Sequence, residues 1–441
     1  MFGVLLLAIM AGFPVAFTLG GVAIIFACIG TGLEIFFWED LAFVPSRVFG
    51  IVQNLTLIAV PLFIMMGITL DQSGLARELL ESMQRVLKRV RGGLAISVIL
   101  VGALLAASTG IVGATVVTMG AIALPTMLKW GYQKEMACGT IAAAGTLGQI
   151  IPPSIVLVLL GDLMQVDVAE LFMGALLPGI LLVILYMLWI GGRIAATPSL
   201  APSPEDMEYD NEEPLWLELS KALFPPLLLM TIVLGSILLG FASPTEASGC
   251  GAIGALLISM SKGRLSRKGL GLILKKTVHM TTMVFTILVG AQFFGVVFRG
   301  LKGDDVIRSL ILDSGIPPGG VLFAVMLLMF IMGFFLDFIE ICFILIPVVA
   351  PLLIGVLGFN PTWVSILMAI NLQTSFLTPP FGFALFYLKG TAPPEIRTAD
   401  IYRGAIPFVI IQVIALALIW IFPDIVHFLP DLLNEVPSPT P

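Results

Sequence analysis

The chain has 441 residues, of which 59% are hydrophobic and only 11% charged, with a formal net charge of −6. A soluble domain carries about 25% charged residues, so water-soluble packing is excluded. Apolar runs of about 20 residues, each enough to cross a bilayer core, recur along the whole length.

The start, Met1-Phe-Gly-Val-Leu-Leu-Leu-Ala-Ile-Met10, has no positive n-region and no small-residue cleavage site, so it reads as a first membrane segment rather than a removable signal. Residues 3–37 are almost continuously apolar and too long for one upright helix, with Gly12-Phe-Pro14 placed to break or tilt them. Residues 51–70 make the next span. Over 76–92, Leu79, Leu80, Met83, Val86, Leu87 and Val90 recur at helical spacing, with Arg77, Arg85, Lys88, Arg89 and Arg91 on the other face. This pattern predicts an amphipathic helix lying along the membrane surface.

Residues 93–128 are apolar but interrupted by Ser108-Thr-Gly-Ile-Val-Gly-Ala114, which predicts two half-length helices meeting at a small, polar tip. Residues 135–161 carry the break Gly148-Gln-Ile-Ile-Pro-Pro-Ser154. A Pro-Pro pair removes two backbone donors and forces the preceding residues extended, so no helix is expected to run through it. Residues 171–192 are a plain span. Residues 194–216 are proline-rich and then acidic, from Glu205 to Glu213, and read as a solvated linker near the middle of the chain.

The second half repeats the order. Spans at 218–241 and 244–260 precede a basic loop over 262–276, and a further span covers 277–299. A short connector over 302–316, with Asp304, Asp305 and Asp313, is followed by a pair of half-helices around Gly333 within 318–357. Residues 361–388 hold the second break, Leu372-Gln-Thr-Ser-Phe-Leu-Thr-Pro-Pro-Phe-Gly382, and 405–422 form the final span. The expected fold is an all-α polytopic membrane protein with two re-entrant helical hairpins and two broken transmembrane helices. Its first repeat covers 1–193, an acidic cytoplasmic linker and connecting span cover 194–243, a second repeat covers 244–422, and 423–441 are a tail. The basic 76–92 and 262–276 segments read as cytoplasmic and the acidic 302–316 as the opposite side. The repeats are then inverted, the geometry that gives alternating access.

Unwound backbone at membrane depth survives only when buried in protein or lining a cavity, and two such breaks in matching halves point to a transporter's binding site. The first break offers carbonyls near Gly148, Gln149 and Ile151 to a small cation, with Ser108, Thr109 and Gly110 at the neighbouring tip. The second offers Gly333 at a tip, then Thr374, Ser375 and Thr378 before Pro379-Pro380. Asp337 and Glu340, one helical turn apart, read either as ion or proton carriers or as structural groups. Glu246, near a span's start, reads as a helix N-terminal carboxylate. Cys28, Cys138, Cys250 and Cys342 show no metal or disulfide spacing, and His279 and His427 lie far apart, so no redox cofactor or structural metal is expected. A Walker loop, a His-Glu-x-x-His motif and a basic stripe for nucleic acid are all absent from the sequence. Transport is therefore expected to be ion-driven or energised by a separate subunit.

At six motifs the chain resembles the large membrane (DctM-type) subunit of tripartite ATP-independent periplasmic transporters. They are Pro61-Leu-Phe-Ile-Met-Met-Gly67, Arg91-Gly-Gly-Leu-Ala95, Gly145-Thr-Leu-Gly-Gln-Ile-Ile-Pro-Pro-Ser-Ile155, Pro244-Thr-Glu-Ala247, Gly333-Phe-Phe-Leu-Asp337 and Asn371-Leu-Gln-Thr-Ser-Phe-Leu-Thr-Pro-Pro-Phe-Gly382. The tip and second break look like the branch labelled for mannitol and chloroaromatic compounds.

The resemblance implies a sodium-coupled, elevator-type importer of an organic acid, such as a 2-oxo or 2-hydroxy acid, in a bacterial cytoplasmic membrane. It implies a small four-helix DctQ-type membrane subunit and a periplasmic substrate-binding protein as partners. It places one sodium site at Thr109, Gly110, Gly148, Ile151 and Pro153, and another at Gly333, Ser375, Thr378 and Phe381. The substrate would lie between the tips, near Ser108, Gln149, Ser154, Thr374, Pro379 and Pro380. Many members read Ser-Gly-Ser-Ser at the first tip, where this chain reads Thr109-Gly110-Ile111-Val112, so the hydroxyl-rich second break is expected to be the better ion site. The competing readings are a carrier that works without a binding protein and a membrane-embedded enzyme or scaffold.

Overall fold

The computed structural model describes residues 1–110, 112–203, 215–313 and 315–434. It is helical throughout, and eight of the described helices are long and apolar enough to cross a membrane. The first two helices, α1 (Phe2–Met10) and α2 (Val15–Gly32), part at Gly12, whose φ of +89° is open to glycine, and at Pro14. A 3-10 turn leads into α3 (Phe43–Gln53). The Asn54 side chain then accepts from the amides of Thr56 (2.9 Å) and Leu57 (3.4 Å) and starts α4 (Leu55–Gln72).

The surface helix α5 (Leu75–Val86) is shorter than its pattern predicts, so Lys88, Arg89 and Arg91 lie in the turns that follow it. The interrupted stretch forms two helices that part at Gly110, α6 (Gly93–Thr109) and α7 (Val112–Lys129), but at 17 and 18 residues they are longer than the half-length helices expected. The first broken helix is α8 (Lys134–Thr146), a 3-10 turn over Leu147–Gln149, and α9 (Ile155–Met164). The long α10 (Val168–Ala196) follows. The acidic stretch from Glu205 to Glu213 lies outside the described residues.

In the second half, α11 (Leu215–Leu238) contradicts the rule applied to the breaks, because Pro225 and Pro226 sit inside a continuous helix. Its neighbours Phe224, Leu227 and Leu228 are exposed on the apolar outside of the molecule. Pro225 is half-buried and Pro226 buried, so a double proline does not by itself end a helix, whereas the first break at Pro152-Pro153 is wrapped in protein and can unwind there. Next, α12 (Pro244–Ser261) begins with a capping box in which Ser243 and Glu246 satisfy each other's amides, in agreement with the N-terminal reading of Glu246.

The expected basic loop over 262–276 is corrected to a turn of a few residues. Arg267, Lys268, Lys275 and Lys276 belong to α13 (Arg267–Gly300), whose 34 residues reach about 51 Å. The remaining elements are the connector α14 (Gly303–Asp313), the second hairpin α15 (Pro318–Met332) and α16 (Phe338–Ala350) ending in a π-helical turn, the second broken helix α17 (Pro361–Leu377) and α18 (Phe383–Thr391), and α19 (Thr398–Ile421). The expected tail contains α20 (Asp424–Asn434), packed on α10.

Helices α1–α5 and α11–α14 pack mainly among themselves and form an outer unit, with α4 on α12 and α2 on α13. Helices α6–α10 and α15–α20 form an inner unit around α8 and α17. From Thr362 to Leu377 every residue of α17 is buried, as is every residue of α8 from Ala137 to Thr146. Small residues allow this crowding: the Gly139 and Gly404 backbones of α8 and α19 touch, leaving no room for a methyl group on either. Thr146 lies six residues before Pro152 and Gln373 six before Pro379, and these two matching positions meet at 3.5 Å. Beside them, Gln412 of α19 donates to the Tyr186 hydroxyl of α10 at 2.7 Å.

Candidate functional site

Each hairpin tip rests on the break of its own half. At the first, Gly110 has a φ of +59°, and a Cβ there would lie 3.3 Å from the Ile155 amide that opens α9. The amides of Ile150 and Ile151 both donate to the Leu147 carbonyl, at 3.2 and 3.0 Å, which ends the helix. The Ser154 hydroxyl donates to the Gln149 carbonyl at 2.8 Å, so one of the carbonyls expected to be without a partner has one. Gly148, Gln149, Pro153 and Ser154 are buried and Ile151 half-buried. Both polar atoms of the Gln149 amide are buried without a hydrogen-bond partner. The side chains of Ser108 and Thr109, and all of Ile111, lie outside the described residues.

At the second break the tip approaches more closely. A Cβ on Gly333 would lie 2.5 Å from Ser375 Cβ and would overlap its hydroxyl. The hydroxyls of Thr374, Ser375 and Thr378 donate to the carbonyls of Ile370 (2.7 Å), Leu372 (2.8 Å) and Thr374 (2.7 Å). A hydroxyl that donates its proton keeps its lone pairs for a cation. The Thr378 amide donates to the Ser375 carbonyl, and Gly382 to the Thr378 carbonyl, closing the turn. Phe381 stacks on Phe335 of the tip, with ring centroids 5.5 Å apart. Gly333, Ser375, Thr378 and Phe381 are therefore brought together. The two breaks differ in cover: Pro380 and Phe381 are exposed, and the Pro380 carbonyl accepts from the Tyr402 hydroxyl at 2.6 Å.

Asp337 and Glu340 form the capping box of α16, with the Asp337 amide donating to Glu340 at 3.1 Å. They also face open space. Glu340 lines a cleft of about 1110 Å³ between the outer and inner units, walled by α4 and α13 on one side and by α7 and Tyr387 on the other. Asp337 lines an adjoining cavity of about 240 Å³ against Phe376 and Phe383. His279, Met283, Gly113 and Tyr387 border both. Lys275 and Lys276 stand one turn from His279, and the wide cleft also reaches Asp71.

Sequence reasoning missed His279, Tyr387 and Asp71. Only the Lys275–His279 spacing, one face of a helix, signalled any of them, and a loop assignment hid it. Asp71 of α4 accepts from the Thr118 hydroxyl of α7 at 2.6 Å, a bond across the unit boundary. Asn54 bonds Asp162 of α9 across the same boundary at the other end of α4. On the outside, Glu78 of α5 pairs with Lys262 and Arg264, so the two basic segments share one face. Among the described residues, no cluster of three His, Cys, Asp or Glu could hold a metal ion.

A sequence profile described as the tripartite ATP-independent periplasmic transporter DctM component matches residues 2–425. The C4-dicarboxylate TRAP transporter large permease protein DctM of Pseudomonas aeruginosa is 30% identical over 391 residues, covering 88% of this chain and 89% of its own. The sialic acid large permease SiaM of Vibrio cholerae is 27% identical and covers 96% of each chain. The crystal structure of the YdaH transporter of Alcanivorax borkumensis superposes with a TM-score of 0.63 at 17% identity, over 87% of this chain and 89% of that one, a likeness of fold. The chain is a multi-pass transporter permease, not an enzyme, and its family works with a companion small membrane subunit and a periplasmic binding protein. It belongs to the DctM family of large permease subunits of tripartite ATP-independent periplasmic transporters.

Proposed function

We propose that this permease imports an organic carboxylate with sodium across a bacterial cytoplasmic membrane by an elevator movement of the inner unit against the outer one. The observation that carries this reading is the cleft at the unit boundary, with Lys275, Lys276 and His279 on the outer wall and the hairpin and broken-helix elements on the inner. Cationic and hydrogen-bonding groups beside an apolar wall suit a carboxylate on a small organic body. By the positive-inside rule the face bearing α5, Lys262 and Arg264 is cytoplasmic, and Lys275 and Lys276 of the cleft lie about two turns along α13 from its start at Arg267. The contact between Thr146 and Gln373 supports two inverted repeats, because equivalent positions meet only beside a two-fold axis.

The oxygen-rich second break fits a sodium ion, with Ser375 and Thr378 as ligand groups against Gly333. The first break has Gly110 and the carbonyl-bearing turn at Gly148 and Ile151. Sodium supplies positive charge beside a carboxylate. An ion shifts the two-state balance only by its differential affinity for the two states. The periplasmic protein would deliver the substrate, and a four-helix DctQ-type subunit would brace the outer unit. A carrier that works without that protein predicts uptake without it.

The movement is tested at Asp71 and Thr118, which touch across the boundary. In a background without the native cysteines, Asp71→Cys with Thr118→Cys, bridged by mercuric ion, should stop uptake, and a thiol reductant should restore it. Each single variant, treated alike, serves as the control. A bridged double variant that transports at its unbridged rate would show that the two units do not slide.

A further inference from the structure

A separate cavity of about 500 Å³ opens at the other end of the unit boundary, between α3, α9, α13 and α16. Helix α13 runs past both spaces, lining the wide cleft from Leu272 to Ile287 and this one from Ala291 to Arg299. Between them Leu288 and Gly290 are buried, and the Gly290 backbone packs on the Ala16 carbonyl.

We propose that this outer cavity is a second carboxylate-binding site, held by Arg47 and Arg299. Arg47 comes from α3 and Arg299 from the last turn of α13, and both line this one space. Among the described residues neither has a hydrogen-bonded or ion-paired carboxylate. Asp162, which also lines the cavity, is already held by Asn54. Asp304 of α14 acts on Arg299 but does not line the cavity. Two cations converging on one space are mutually unfavourable, and an anion between them reverses the sign. The planar guanidinium fork matches a carboxylate's two oxygens. The volume suits a small organic acid.

Both arginines belong to the outer unit, whereas Asp162 and the α16 wall belong to the inner one. Sliding of the inner unit would therefore re-form this cavity without moving its cations. A carboxylate released outside would meet this fixed pair before the binding elements, and a local positive field raises capture rates. The choice of a carboxylate rests on the importer reading above.

The test uses full-length protein in phosphatidylcholine nanodiscs, treated with phenylglyoxal and mapped by mass spectrometry, with succinate as the probe. Succinate at three times its dissociation constant should slow adduct formation at Arg47 and Arg299 about fourfold relative to chloride at equal ionic strength. Arg193 and Arg403, which line a different cavity, should react unchanged. Equal protection by chloride overturns the site. Protection by phosphatidylglycerol alone assigns the pair to a lipid headgroup phosphate and overturns it as well. Arg47→Gln and Arg299→Gln should remove the protection, and Arg47→Lys should retain part of it. If sodium-driven uptake fails while protection persists, the transport reading falls and the site stands. If uptake works and protection is absent, the site falls.

Discussion

Gly333→Ala tests the proposed second sodium site at its tightest point. Gly333 has an ordinary helical φ of −64°, so an alanine there is not strained by its backbone. The obstacle is space: the new methyl group would lie 2.5 Å from Ser375 Cβ, and closer to the hydroxyl. Carbon atoms pack at about 3.5–4.0 Å, so the tip must withdraw from the break by roughly 1 Å. Overpacking of this kind costs about 1–3 kcal/mol. If that cost falls on the ion-bound state, the sodium concentration for half-maximal uptake rises about 5- to 150-fold.

The assay is uptake against sodium in proteoliposomes containing the permease, its small subunit and its binding protein, together with thermal unfolding. A double variant, Gly333→Ala with Ser375→Gly, makes room for the methyl group but removes the hydroxyl. It should recover thermal stability and leave the sodium requirement high. A Gly333→Ala permease with the wild-type sodium curve and stability would refute both the close approach and the site built on it.

Thr378→Ala removes the hydroxyl bonded to the Thr374 carbonyl, a bond worth about 1 kcal/mol, along with a proposed sodium ligand. The sodium half-saturation should rise roughly tenfold or more, and an unchanged curve would remove Thr378 from the site. Gly404→Val thrusts a branched side chain into the Glu135 carbonyl of α8. The folded yield in detergent should fall sharply, in line with about 3 kcal/mol or more of overpacking; wild-type yield would contradict the α8–α19 approach.

Both breaks and both hairpins were legible because Pro-Pro pairs and glycine tips act through the backbone, which one sequence displays. Pro225-Pro226 shows the limit of that reading: the same pair stays inside a continuous helix, and nothing in the dipeptide itself separates it from the two breaks. The extension of α13 to Arg267 was hidden because Lys275 and Lys276 looked like a loop. They face a wide cleft, so their charge is compatible with a helix. His279, Tyr387 and Asp71 come from three elements distant in sequence, and no local spacing announces their meeting. The Ser375 hydroxyl was expected at the ion site, but its fit against Gly333 depends on a contact between the two arms of the second half.

Sodium-driven uptake by the reconstituted three-component system tests the central claim most directly. With substrate-loaded binding protein outside, an inward sodium gradient should drive accumulation above equilibrium, and replacing sodium by potassium or omitting the binding protein should abolish it. Equal accumulation without a sodium gradient would contradict the account.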